Sequence, residues 1–358
     1  MNSLSNNQQK AKSVKIKCVV WDLDNTLWNG TLLEDKLVTL KEGISDLIIE
    51  LDQRGIVQSI ASKNNNEDAM NQLKEFGLYE YFIYPEINWN QKSQMISSIA
   101  KIINISTNAI AFIDDQSFER DEVSYALPDV LCVDAIHIDS ILDDPLFNPD
   151  YITEDTKNRR KMYQDAIVRD QVEKEFTGNP DEFLATLNIV LYVSEVMDGD
   201  LQRVEELTTR THQLNSTGYT YSYEELKTLS QSKNHKLLIA SLKDKYGSYG
   251  KIGIILIECE DDTWTLKLLL VSCRVLSRGI GTILLNYIIN EAKMENKKLK
   301  AEFVQTDRNR IMYIAYRFAG FKETEKYDQL TVFMHDLSNT PSLPSYIQLY
   351  VNDKKVIF

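Results

Sequence analysis

Three short apolar runs, each ending in polar or acidic residues, leave the first third of this sequence few ways to fold. KCVVWDLD, IVQSIASKN and NAIAFIDDQ have the length and near-continuous apolar character of buried strands. Between and beside them lie helix-period segments, EGISDLIIELDQRG, NEDAMNQLKEFG and QKSQMISSIAKIIN, the second with an Asn cap and Gly77 as its stop. Strands alternating with helices imply a parallel sheet with right-handed crossovers. In such sheets a ligand sits beyond the carboxyl ends of the strands, where each polar cluster falls.

Those clusters carry a recognisable chemistry. Asp22 and Asp24 are two apart on an extended segment, so their side chains point to the same side. Two carboxylates there repel each other unless a cation sits between them, and Mg²⁺ suits an all-oxygen site completed by a substrate phosphate. Asp114 and Asp115 tip another strand and can supply the remaining ligand. Ser62 ends the second strand, where its hydroxyl and backbone N–H can hold a phosphoryl oxygen. Lys92 opens a helix and offers a fixed cation to a transferring phosphoryl group. The gaps from Asp24 to Ser62 and from Ser62 to Lys92 each leave room for about one helix and a loop, not an inserted cap domain. A capless site is open to a large partner or to cover by another domain.

The chain has 358 residues, enough for two domains. Residues 139–180 change character: Pro145, Pro149 and Pro180 accompany a charged helix, as at a boundary. The expected organisation is a phosphatase-like unit over 1–145, a linking helix over 146–180, a second domain over 181–340 and a tail over 341–358. The second domain reads as a helix, the strands KLLIASLKD, KIGIILIEC and WTLKLLLVSC, then a helix opened by a Gly-containing turn. No apolar run approaches the length needed to cross a bilayer, and the polar start lacks a signal core. Four scattered cysteines suit neither a disulfide scaffold nor zinc, so a reducing cytoplasm is expected. A net charge of −13 argues against a nucleic-acid platform. Yet between Arg274 and Arg317 nine Lys or Arg stand against four acids, either a solvated helix face or a docking patch for a phosphate or acidic partner.

The order D-L-D-N-T, then Ser62 in IASKN, Lys92 in NQKS and the acids of FIDDQ resembles the four motifs of haloacid dehalogenases, here of subfamily IIIC. That resemblance implies an α/β class: a capless Rossmannoid parallel sheet in which Asp22 is the nucleophile and Asp24 the general acid/base. Ser62, Lys92, Asn25, Thr26 and Lys63 would bind phosphate, and Asp22, Asp24, Asp114 and Asp115 would hold Mg²⁺. Residues 180–338 resemble the acyl-CoA N-acyltransferase (GNAT) fold, an α+β domain. The resemblance rests on SCRVLSRGIGTILL, whose R-G-x-G turn offers backbone N–H groups to a phosphate, and on NRIMYIAYRFAGF. Leu276 departs from the Gln or Arg usual at that turn.

Together, VVWDLDNTLWNGTLLED, NWNQKSQMI, FIDDQSFERDEV, RTHQLNSTG and SCRVLSRG are similar to the FkbH-like family over nearly the whole chain. The resemblance implies a glyceryl transferase/phosphatase. Such a protein takes D-1,3-bisphosphoglycerate, removes its phosphates and loads a glyceryl thioester onto an acyl carrier protein for polyketide or related synthesis. Acyl transfer to a thiol goes well through a cysteine. Cys18 lies about 13 Å from the first site at roughly 3.3 Å per residue and reads as core packing. Cys273 ends an apolar strand where a phosphopantetheine thiol should arrive; a structural cysteine is the other reading. His212 is the candidate to activate it, or an exposed or capping histidine. Gln213, Asn215 and Thr217 are candidate substrate contacts, and Arg274, Arg278, Gly279, Gly281, Asn309 and Tyr316 candidate contacts for the carrier and its arm. The competing functional reading is a stand-alone Mg²⁺ phosphatase with a non-catalytic C-terminal binding domain.

Overall fold

Every residue of Cys18–Trp21, Val57–Ser62 and Ile110–Asp114 is buried, which is why these runs carry apolar side chains on both faces. A computed structural model, which describes residues 14–35, 37–211, 213–338 and 342–356, places these three strands side by side. The full sheet runs in the order Glu86–Ile87, Val57–Ser62, Cys18–Trp21, Ile110–Asp114, Leu131–Asp134, with all neighbours parallel. Trp21 stands opposite Ile60 on one side and Ile113 on the other, so Asp22 leaves the sheet at its centre. Helices Ile44–Gln53, Asn66–Glu75, Lys92–Ile103 and Ser117–Ala126 form the crossovers. Asn65 caps the second by accepting from Asp68 N at 3.2 Å, and Gly77 follows it with a φ of +71°. Between Asp24 and Ser62 the described residues hold one two-stranded ribbon, Trp28–Asn29 with Thr39–Leu40, and one helix; no cap domain is inserted.

The chain divides into two compact units, one ending at Gln164 and one beginning at Asp165. The segment expected as a link divides between them. Arg159 donates to Gly55 O and Arg160 to Asp52, within the first unit, whereas Arg169 pairs with Asp244 at 2.7 Å within the second.

The second unit is built on nine strands. Their order is Lys322–Tyr327, Leu330–His335, Lys298–Val304, Thr263–Val271, Gly247–Cys259, His235–Asp244, Ile189–Glu195, Ile347–Val351, Lys354–Val356. Neighbours are antiparallel except Thr263–Val271 with Lys298–Val304 and Ile189–Glu195 with Ile347–Val351. The tail expected after residue 340 therefore supplies two strands of the sheet. Alternation splits the strand residues between two cores. Ile255, Leu266 and Leu269 join helix Ile280–Met294 on one face, and Ile254, Leu256, Leu268 and Leu270 join helix Leu201–Arg210 on the other.

Candidate active site

Parallel pairing brings Asp22, Ser62 and Asp114 to one edge of the first sheet, because each ends or follows a strand running the same way. Asp22 is fixed by its backbone, whose N–H donates to Ile113 O at 2.9 Å. Lys92 is the first residue of its helix and only 2 % exposed. Its ammonium donates to Asp22 Oδ1, to Ala61 O at 2.8 Å and to Asp114 Oδ2 at 3.0 Å, which commits all three of its N–H bonds. Burial opposes its charge, but the carboxylates of Asp22 and Asp114 outweigh it and raise its pKa. Burial, and next the charge of Asp22, push Asp114 up to about 6, against the opposing pull of Lys92. Asp115 is raised for the same two reasons.

Oxygens of Asp22, Asp114 and Asp115 lie within 4.8 Å of one another, a hard, all-oxygen donor set that fits a divalent cation such as Mg²⁺. Asp24, expected among the ligands, is not in that cluster. Its Oδ1 accepts from Trp28 Nε1 at 2.8 Å and from Leu32 N at 3.0 Å, and its Oδ2 from Asn64 Nδ2 at 3.0 Å. Burial raises its pKa, while the Leu32 and Trp28 donors work the other way. A half-buried carboxyl held by three donors and pushed upward suits proton transfer better than metal binding.

Thr26 is buried and accepts from Asp115 N at 3.1 Å, tying the loop after the first strand to that after the third. Asn25 adopts a φ of +55°, and its Oδ1 accepts from Gly30 N at 3.1 Å. Lys63, expected on phosphate, is paired with Glu119 at 2.7 Å. The sequence reading missed Trp28 and Asn64, the side chains that hold Asp24. Their only signal was nearness to motif residues, in DLDNTLW and SKN. Leu33 and Trp89 stand exposed in turns, and Phe118 is exposed in the first turn of helix Ser117–Ala126.

The second unit redistributes its candidates. Burial pushes the Cys273 thiol up, and the backbone amides of Gln213, Cys273 itself and Leu214 act in the opposite direction. Cys18 is wholly buried and its thiol is pushed up, as a core residue's should be. His212 lies outside the described residues.

Several expected ligand contacts are packing or loop-holding groups instead. Arg278 is 4 % exposed, donates to Glu173 at 3.0 Å and stacks on Phe183, so it is no surface cation for an acidic carrier. Arg274 reaches back to Tyr249 O at 3.2 Å. Asn309 and Tyr316 are fully buried. Asn215 is also buried, and its Oδ1 accepts from Thr217 N and Gly218 N at 3.1 and 2.8 Å. Thr217 Oγ1 accepts from Tyr219 N within the same turn, and Gln213 is exposed. Gly279 takes a φ of +69° to open helix Ile280–Met294, and Gly281 follows with open space where a side chain would lie.

Residues 28–123 match the family model of haloacid dehalogenase-like hydrolases, a span that contains Ser62, Lys92, Asp114 and Asp115 and begins after Asp24. Among solved structures, the chain is similar to the N-terminal phosphatase-containing part of protein BF1531 from Bacteroides fragilis, complexed with Mg. Identity is 24 % over 44 % of this chain and 40 % of that chain, with a TM-score of 0.31. The chain thus spans well under two thirds of that structure's length. The ribosomal-protein-S18-alanine N-acetyltransferase from Escherichia coli is similar at 17 % identity over 42 % of this chain and 96 % of that one, TM-score 0.33. The PaiA N-acetyltransferase from Thermoplasma acidophilum, in complex with coenzyme A, gives 15 %, 40 %, 98 % and 0.31. No curated protein matches the sequence. The chain is mixed α/β: a parallel-sheet unit that contains the span matched by the haloacid dehalogenase-like model, followed by a unit built on a mixed nine-stranded sheet. No described helix is long and apolar enough to cross a membrane.

Proposed function

We propose that the chain is a bifunctional glyceryl transferase/phosphatase of the FkbH-like kind. It takes D-1,3-bisphosphoglycerate, dephosphorylates it and loads a glyceryl thioester onto the phosphopantetheine arm of an acyl carrier protein in the cytoplasm. The convergence of Asp22, Asp114 and Asp115 around Lys92 is the observation that carries the phosphatase half. An Asp22 oxygen attacks phosphorus and the bond to the leaving oxygen breaks, while Asp24 gives that oxygen its proton. Asp24 then takes a proton from the water that attacks the phosphorus of the Asp22 acyl phosphate, the bond to the carboxylate oxygen breaks, and phosphate is freed with Asp22 restored. Lys92 balances charge on the phosphoryl oxygens, with Ser62 and Thr26 at the same edge. Mg²⁺, when held by Asp22, Asp114 and Asp115, supplies further neutralisation of those oxygens.

In the transferase half, the Cys273 thiolate attacks the acyl carbonyl, the bond to the phosphate oxygen breaks and phosphate leaves. The carrier thiolate then attacks the new thioester and Cys273 departs as thiolate. The amides of Gln213 and Leu214 favour the sulfur's anionic form. One observation favours the second reading, a plain phosphatase with a binding domain: burial works against the Cys273 thiolate.

Intact-protein mass spectrometry decides between them. Wild type, Asp22→Ala and Cys273→Ala are incubated with 1,3-bisphosphoglycerate, Mg²⁺ and phosphopantetheinylated carrier protein. A glyceryl adduct on the carrier that is lost in Cys273→Ala supports transfer. Phosphate release with no protein gaining mass leaves the phosphatase alone.

A further inference from the structure

The strands Thr263–Val271 and Lys298–Val304 run parallel but pair only from Thr263–Leu266 to Lys298–Ala301. Beyond that point each has an edge of backbone groups turned toward the other with no strand between them. Such a slot accepts an extended, amide-bearing chain by strand addition, and a phosphopantetheine arm is one such chain.

In this protein the slot is filled from within. Asn215 bridges Leu270 in antiparallel fashion. Val271 N donates to Leu214 O at 2.9 Å, Ser216 N to Leu269 O at 3.0 Å, and Leu269 N to Ser216 Oγ at 3.0 Å. On the opposite side Val304 N donates to Ser216 O at 3.0 Å. Asn309 locks the arrangement, since its Nδ2 donates to both Asn215 O and Val304 O at 2.9 Å. Asn309 Oδ1 in turn accepts from Thr306 N at 2.9 Å. Asn215, Ser216 and Asn309 are each at most 1 % exposed, so the segment is part of the sheet's interior rather than a loop lying over it.

We infer that Leu214–Ser216 is a built-in replacement for a ligand strand, which closes this slot to coenzyme A and to any pantetheine arm. The domain then holds no acyl-coenzyme between its diverging strands. The thioester it handles is formed on the chain's own Cys273, two residues past the strand whose edge the segment covers. A carrier thiol reaches that sulfur from outside the slot and leaves once loaded. The role given to Cys273 rests on the proposed acyl transfer; the closed slot does not. Asn309 and Ser216 are positioning residues in this scheme, acting through the segment they hold.

The test is hydrogen exchange on the full chain with and without millimolar coenzyme A, beside titration calorimetry with the same probe. The amides of Ser216, Leu269, Val271 and Val304 are expected to exchange about a hundredfold more slowly than an exposed loop amide. Coenzyme A is expected to give no binding heat and to leave their exchange unchanged. Binding accompanied by altered exchange at those four amides overturns the inference, as does loop-like exchange there without ligand. Asn309→Ala is expected to speed exchange at Ser216 and Val304 about tenfold, more than at other strand amides. Should that variant fail to fold, the wild-type measurements still decide. Adduct formation on Cys273 from an acyl phosphate is followed in parallel. An adduct together with coenzyme A binding that alters exchange at those four amides removes the closed slot and keeps the proposed function. A closed slot without an adduct does the reverse.

Discussion

Lys92 and Asp114 are joined by a 3.0 Å ion pair that solvent hardly reaches, and the same ammonium also holds Asp22. Without that ammonium, two buried carboxylates would face each other with no counter-charge. Lys92→Ala is expected to destabilise the metal-free protein by roughly 3–5 kcal/mol, seen as a lower urea midpoint. Added Mg²⁺ should recover more stability in the variant than it adds to wild type, because the cation then replaces the positive charge that was lost. Equal responses to Mg²⁺ would place the metal elsewhere.

Asp24 depends on a donor that no motif names. Trp28→Phe keeps the buried ring and removes the N–H that Asp24 Oδ1 accepts at 2.8 Å, while Leu32 N and Asn64 remain. Phosphatase kcat is expected to fall about tenfold with little change in KM, since the loss falls on the group proposed to transfer the proton. A rise in KM alone would assign Trp28 to substrate binding.

The parallel core was readable because its strands are apolar throughout and each ends in a polar residue. The partners of Asp24 were not, since a hydrogen bond from Asn64 spans 40 positions and depends on the register of two strands. In the second unit, residue type misled. Arg278 beside a glycine turn looks like a surface cation, yet Glu173 and Phe183 bury it. In the polar run QLNST, the Asn215 side chain holds the turn that follows it and the Ser216 hydroxyl accepts from Leu269 N inside the sheet.

Arg278→Ala is therefore expected to act on stability, costing roughly 1–3 kcal/mol for the lost charge-assisted bond. The salt dependence of the proposed carrier loading should stay as in wild type. A flattened salt dependence with unchanged stability would return Arg278 to a docking role.

His335 is a buried histidine with a fixed tautomer. Its Nδ1 accepts from Leu337 N at 3.0 Å, so Nε2 carries the proton and donates to Ala319 O at 3.0 Å. Burial holds its pKa below the ordinary imidazole value of 6.5, partly offset by the Ala319 carbonyl. The unfolded chain thus binds this proton more readily than the folded one. The contribution is present above about pH 6.5 and is lost as pH falls toward the lowered value. The urea midpoint should drop on acidification in that window, and His335→Gln should show a shallower drop. An identical pH profile in the variant would clear His335 of any part.

Leu349 sits close to the end of the sequence and is fully buried in the strand that pairs with Ile189–Glu195. Leu349→Ala should cost about 2–5 kcal/mol, as much as a substitution at the centre of the sheet such as Leu268→Ala. A cost below 1 kcal/mol would make the strand a loose appendage.

That pairing also has a consequence in time. Ile189–Glu195 is the first strand of the second unit to be synthesised, and Ile347–Val351, which covers its edge, is among the last. A nascent chain therefore carries the bare edge of Ile189–Glu195 while the six intervening strands are still being made and packed. That interval makes the growing polypeptide vulnerable to pairing with a neighbour.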